Sequence, residues 1–94
     1  MTFSHSCFRR SEEIDVSVAG DRAILYHRHA QRAIVLNPTG TLLWELLVSP
    51  QTFEELTQQL QLHFPQIEAS LLRCDIEKYL NELVEQEAIL AAPQ

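Results

Sequence analysis

From residue 14 the chain alternates, with Ile14, Val16 and Val18 separated by Asp15, Ser17 and Ala19. A period of two places the β-branched residues on one face of a strand. Gly20-Asp21 then supplies the positive-φ position that a tight hairpin needs. A second strand is predicted over Ala23–His29, centred on Ala-Ile-Leu-Tyr, and a third over Arg32–Leu36. The turn between them, His29-Ala30-Gln31-Arg32, has no glycine, asparagine or proline, and it is placed by the apolar run that follows at once. Together the three strands read as an antiparallel meander.

The period then lengthens. Asn37-Pro38 predicts a helix start, because asparagine caps free N–H groups and proline is tolerated in a first turn. Leu42, Leu43, Trp44, Leu46 and Leu47 make a helix that is apolar over most of its circumference and so must be buried on several sides; Ser49-Pro50 ends it. Thr52-Phe53-Glu54-Glu55 is a capping box that opens a second helix, with Phe53, Leu56, Leu60 and Phe64 at spacings of three and four before Pro65. A third helix is predicted over Ala69–Gln86, with Leu72, Ile76, Leu80 and Leu83 on one face and Tyr79 beside it. The order βββααα belongs to the α+β class, a three-stranded antiparallel sheet followed by three helices in a winged-helix-like arrangement. Residues 1–13 are polar without a sustained period and are expected to be a flexible arm, 14–90 one domain, and 91–94 a tail.

Ninety-four residues suffice for one core, and 46% apolar against 21% charged residues is a globular composition. No apolar run reaches the roughly 18–20 residues that cross a bilayer, the first residues lack the layout of a secretory signal, and the two cysteines, Cys7 and Cys74, form no CxxC. A cytoplasmic setting is expected, with no membrane partner. The net charge of −6 lies in the second half, where residues 41–94 carry nine acidic and two basic side chains.

His27-x-His29 puts two imidazoles on one side of the predicted strand, but His5, Cys7, His63 and Cys74 complete no zinc spacing, so no metal is expected. Cys74 lies in the third helix with no nucleophile signature around it. The two glycines, Gly20 and Gly40, build no phosphate loop. The chain is expected to be neither an enzyme nor dependent on a cofactor. A winged helix-turn-helix that binds DNA is the alternative offered by the fold class. Against it, the second helix has no Lys or Arg, and the third sets Arg73 and Lys78 against Asp75, Glu77, Glu82 and Glu85, with Glu87 just past its end. An interaction module remains. If the third strand is a sheet edge, its free backbone groups accept either a peptide as a fourth strand or a second copy of the chain, and Arg32–Leu36 has no proline or lysine to blunt it.

The run Ala33-Ile34-Val35-Leu36-Asn37-Pro38-Thr39-Gly40, leading into Leu43-Trp44-Glu45-Leu46-Leu47, resembles the "LN-x-T-G…IWELL" segment of PqqD-like proteins. Thr52-Phe53-Glu54-Glu55-Leu56 resembles their second helix, and Asp75-Ile76 with Tyr79-Leu80 and Leu83 resembles their "D-V-x-x-F-L-x-x-L" third helix. Two departures stand out: Glu87-Ala88 occupies the place of a frequent glycine after the third helix, and the turn before the third strand is His-Ala-Gln rather than Gly-rich.

The resemblance implies a recognition element for ribosomally made, post-translationally modified peptides (RiPPs). It would hold the leader of a precursor peptide as an added strand on the third strand, against the third helix, for a modifying enzyme or leader protease. The residues so implied are Arg32, Ala33, Ile34, Val35 and Leu36 of the strand and Leu72, Asp75, Ile76 and Tyr79 of the helix. Trp44 and Leu47 are assigned to the core, as Leu36 also is by its side chain. Arg28, Arg32, Arg73 and Lys78 are expected to attract acidic leader residues, and a monomer or weak homodimer is expected.

Overall fold

The alternation at the start of the predicted meander does fold as a strand, and each later change of period marks an element. The computed structural model describes residues 6–93. Its elements are β1 (Ser6–Arg10), β2 (Ile14–Ala19), β3 (Arg22–His27), β4 (Arg32–Val35), α1 (Pro38–Leu46), β5 (Gln51–Thr52), α2 (Phe53–His63), α3 (Ala69–Glu85) and β6 (Ile89–Pro93). The strands form two antiparallel sheets, ordered β2-β3-β4 and β5-β1-β6.

The first sheet is the expected meander. Gly20, at φ +67°, turns β2 into β3 through a two-residue loop, with Ala19 paired to Arg22. β3 is shorter than predicted: it ends at His27, so His29 lies in the turn and the two imidazoles do not share a strand face. That turn manages without glycine because Gln31 adopts φ 52° and donates its N–H to the His27 carbonyl at 2.9 Å, while the Ala30 N–H reaches Nδ1 of His27. Ala23, Leu25 and Leu36 bury the inner face of this sheet.

The helices follow their sequence signals. Asn37 Oδ1 accepts the Gly40 N–H at 2.8 Å with Pro38 in the first turn of α1, and both reciprocal bonds of the Thr52–Glu55 capping box are present in α2. Leu43, Trp44, Leu56, Leu60 and the α3 stripe Leu72, Ile76, Leu80 and Leu83 meet the sheet in one core. Thr41 ties α1 to the meander, its hydroxyl accepting the Ala23 N–H at 2.8 Å.

Two expectations change at the ends. Residues 6–10, expected to belong to a flexible arm, are strand β1, and Phe8 is fully buried. Residues 91–93, expected to belong to a tail, are the end of strand β6, which pairs along β1 from Arg10–Ile89 to Ser6–Pro93. The parts of those expectations that concern residues 1–5 and 94, with His5 among the candidate ligands, lie outside the described residues. No described helix is long and apolar enough to cross a membrane.

Candidate functional site

Among the described residues β4 is an edge of its sheet, bonded to β3 on one side only. Its register sets which backbone groups are free. The Leu36 N–H donates to the Ala23 carbonyl at 2.9 Å, and Ile34 lies opposite Leu25 and Arg32 opposite His27. Antiparallel ladders alternate bonded and non-bonded pairs, so Arg32, Ile34 and Leu36 turn their backbone groups to β3, while Ala33 and Val35 turn theirs to the open edge. Side chains alternate as well: Leu36 is buried and Ile34 half-buried on the inner face, whereas Ala33 and Val35 are exposed.

Beside that edge runs a groove of roughly 380 Å³, walled by residues 33–36 of the strand and by Tyr79, Glu82, Leu83 and Gln86 of α3. A second hollow of roughly 300 Å³ continues past Tyr79 and is lined by Asn37, Thr39, Asp75, Lys78 and Glu82. Tyr79 and Glu82 line both, so the two form one trough divided at the tyrosine ring. Arg32 closes the far end of the first groove by donating to Gln86 Oε1 at 2.7 Å.

Tyr79 is half-buried and lines the second hollow together with Asn37. Burial pushes its phenol above the ordinary value, and the carboxylates of Glu82 and Asp75 act in the same direction, against the opposing influence of Asn37. Gly40 makes room for the ring: a Cβ there would stand 2.6 Å from Cε1 of Tyr79.

The trough brings together some of the residues anticipated from sequence and not others. The strand 32–36, Asp75 and Tyr79 meet at it. Leu72 and Ile76 do not: both have no exposed surface and belong to the core stripe of α3, so they support the groove wall from behind. Glu82 and Gln86, absent from the anticipated set, take their place. They follow Tyr79 at three and seven positions, which is a helical face in its own right, but its polar residues look like an ordinary solvent face. Of the four cations expected to attract an acidic peptide, only Arg32 and Lys78 border the trough. Arg28 is engaged by Glu12, Glu13 and Asp15, and Arg73 is paired with Glu54 at 2.9 Å above the Phe53 ring. Among the described residues no three His, Cys, Asp or Glu side chains group as metal ligands.

The sequence model of the family described as coenzyme PQQ synthesis protein D (PqqD) matches residues 22–89. No curated protein matches the sequence. The fold is similar to that of TbiB1 in complex with the TbiA(beta) leader peptide, with a TM-score of 0.78 and 18% identity over 86% of this chain and 93% of that one. It is also similar to lasso peptide synthetase B1 complexed with the leader peptide, with a TM-score of 0.75 and 23% identity over 88% of this chain and 96% of that one.

Proposed function

The chain belongs to the PqqD family, and on that premise we propose that it is a non-catalytic RiPP recognition protein. It takes the leader segment of a precursor peptide as an extra strand on β4, against α3, and presents it to a modifying enzyme or leader protease. The observation that carries this reading is the open edge of β4 beside a trough whose other wall is α3. An extended peptide satisfies the outward N–H and C=O groups of Ala33 and Val35 and lays every second side chain into the groove. Two similarly folded proteins are each seen with a leader peptide, which supports a peptide as the partner.

Side-chain selection then falls to Ile34, Leu36 and Leu83 at the floor and to Tyr79, Glu82 and Gln86 at the rim. Ordering an extended peptide is costly, so affinity depends on a few seated side chains more than on area. The DNA-binding alternative is disfavoured by charge: α2 has no Lys or Arg, and Arg73 of α3 is neutralised by Glu54.

The test is a titration of labelled protein with the precursor peptide encoded beside its gene, read by amide chemical shifts. Shifts at Ala33, Val35, Tyr79, Glu82 and Gln86 are expected. Binding that leaves the β4 amides unmoved would refute strand addition, and no binding by that peptide would refute the function.

A further inference from the structure

Residues two apart in a strand project to the same side, so Arg32, Ile34 and Leu36 share the face of β4 that borders the groove. Their chemistry differs along the strand. Ile34 and Leu36 give an apolar floor, whereas Arg32 reaches across the end of the groove and donates from Nη1 to Gln86 Oε1 at 2.7 Å. Gln86 carries no charge, and Arg32 forms no ion pair among the described residues. Arg32 stands in register with His27 and, beyond it, Ile14, and the carboxylates that flank Ile14 are engaged elsewhere: Glu13 by His29 and Asp15 by Arg28. Lys78, the other cation of the trough, follows Asp75 by three positions and precedes Glu82 by four on the same helix, and all three line the second hollow. Arg32 is thus the cation of the trough whose charge nothing offsets.

We propose that Arg32 is a specificity-determining residue that selects a carboxylate side chain in the bound peptide, two residues C-terminal to the apolar side chain seated on Ile34. The proposal rests on the peptide-binding reading above and narrows the peptide to a pattern: an apolar residue, any residue, then Asp or Glu. Strand geometry sets the spacing. Ala33 and Val35 turn their backbone groups outward, so an added antiparallel strand makes its bonded pairs with them. Arg32 and Ile34 then face it in non-bonded pairs, where opposite Cα atoms are about 4.5 Å apart and side chains come closest. Because the directions are opposed, the peptide residue over Ile34 is followed two positions later by the one over Arg32. A carboxylate at that place accepts from Nε and Nη2 of Arg32, which the bond to Gln86 leaves free. The other end of the trough disfavours the reverse direction. There Asp75 and Glu82 stand against the single Lys78, and a peptide running parallel to β4 would carry its acid toward them.

A substitution scan on the full chain tests this, with overlapping synthetic peptides that tile the precursor peptide encoded beside its gene. Each residue of a binding tile is replaced in turn by Ala, Glu and Lys, and affinity for wild type and for Arg32→Glu is read by fluorescence anisotropy. One position is expected to favour Glu over Lys by about fivefold in the wild type, the scale of an exposed cross-strand charge pair, and to favour Lys over Glu in Arg32→Glu. That position lies two residues C-terminal to one at which Ala lowers affinity, and its preference shrinks at high salt. If no position inverts its preference in Arg32→Glu, the assignment is overturned. An inverting position on the N-terminal side of the apolar one overturns it too, since the strand then runs the other way. Circular dichroism reports the fold of the variant. Should Arg32→Glu unfold, Arg32→Gln decides: loss of the Glu preference supports the assignment and its persistence overturns it. If no tile binds the wild type, the peptide reading falls and takes this proposal with it. Tiles that bind through an apolar residue yet ignore charge leave that reading standing and remove the role of Arg32 alone.

Discussion

Glu87 holds a backbone conformation that suits glycine, with φ at 62° directly after α3. The Ala88 N–H reaches the Leu83 carbonyl at 2.9 Å and the Glu87 N–H reaches that of Val84 at 3.0 Å, the paired bonds of a Schellman turn. Here a side chain, and a negative one, sits where left-handed geometry and the helix dipole both disfavour it. Glu87→Gly is expected to stabilise the fold by about 1 kcal/mol, measured by urea unfolding, even allowing for the greater freedom of glycine in the unfolded chain. Tyr79 gives a second prediction. Its phenol is raised, so the contribution of the neutral form is complete below the ordinary value near 10 and is lost as pH climbs through the folded value. Stability followed against pH should fall on that alkaline limb in the wild type, and Tyr79→Phe should remove this group's share of the fall.

β4 can be interrogated by proline because its two sets of N–H groups do different jobs. Val35 turns its N–H to the open edge, where proline is tolerated and leaves the ladder to β3 intact. Val35→Pro is therefore expected to keep the fold and weaken peptide binding by roughly tenfold or more, the loss of about one backbone bond. Ile34 turns its N–H inward, so Ile34→Pro removes a ladder bond and lowers stability by at least about 1 kcal/mol. A melting curve and a binding isotherm for each variant separate the two effects. The strand edge was legible in the sequence because Arg32–Val35 ends a run of three short strands with nothing to blunt it. The helix wall was legible only in part. Leu72, Ile76, Leu80 and Leu83 mark the strongest period in α3, but that stripe is the core, and the groove uses the neighbouring stripe of Tyr79, Glu82 and Gln86. Periodicity locates the buried face of a helix; it carries no mark for a half-exposed face that meets a cleft.

At the scale of the molecule, the second sheet joins segments more than 80 positions apart, with Cys7 opposite Ala92 and Phe8 opposite Ala91. No local signal announces such pairing. Residues 6–10 contain one fully buried apolar side chain and two arginines, so the stretch looks like an arm until its partners are in place. Phe8→Ala is expected to cost about 3–5 kcal/mol, a large part of the roughly 5–15 kcal/mol that holds a domain of this kind, and thermal unfolding would register it as a steep fall in Tm. Arg10 adds to the same junction, since its guanidinium lies 4.6 Å above the Trp44 ring and donates to the Trp44 carbonyl near the end of α1. The pairing of Ser6 with Pro93 brings the ends of β1 and β6 to within about 5 Å of each other, in the sheet that does not contain β4. A short glycine linker across that gap, with new termini opened at the exposed Ser49-Pro50 loop, should yield a circular permutant with the same helical signal and the same peptide titration. By the same geometry the unit can be spliced into a loop of a larger protein as a closed detour, with its host's backbone entering and leaving at nearly one point.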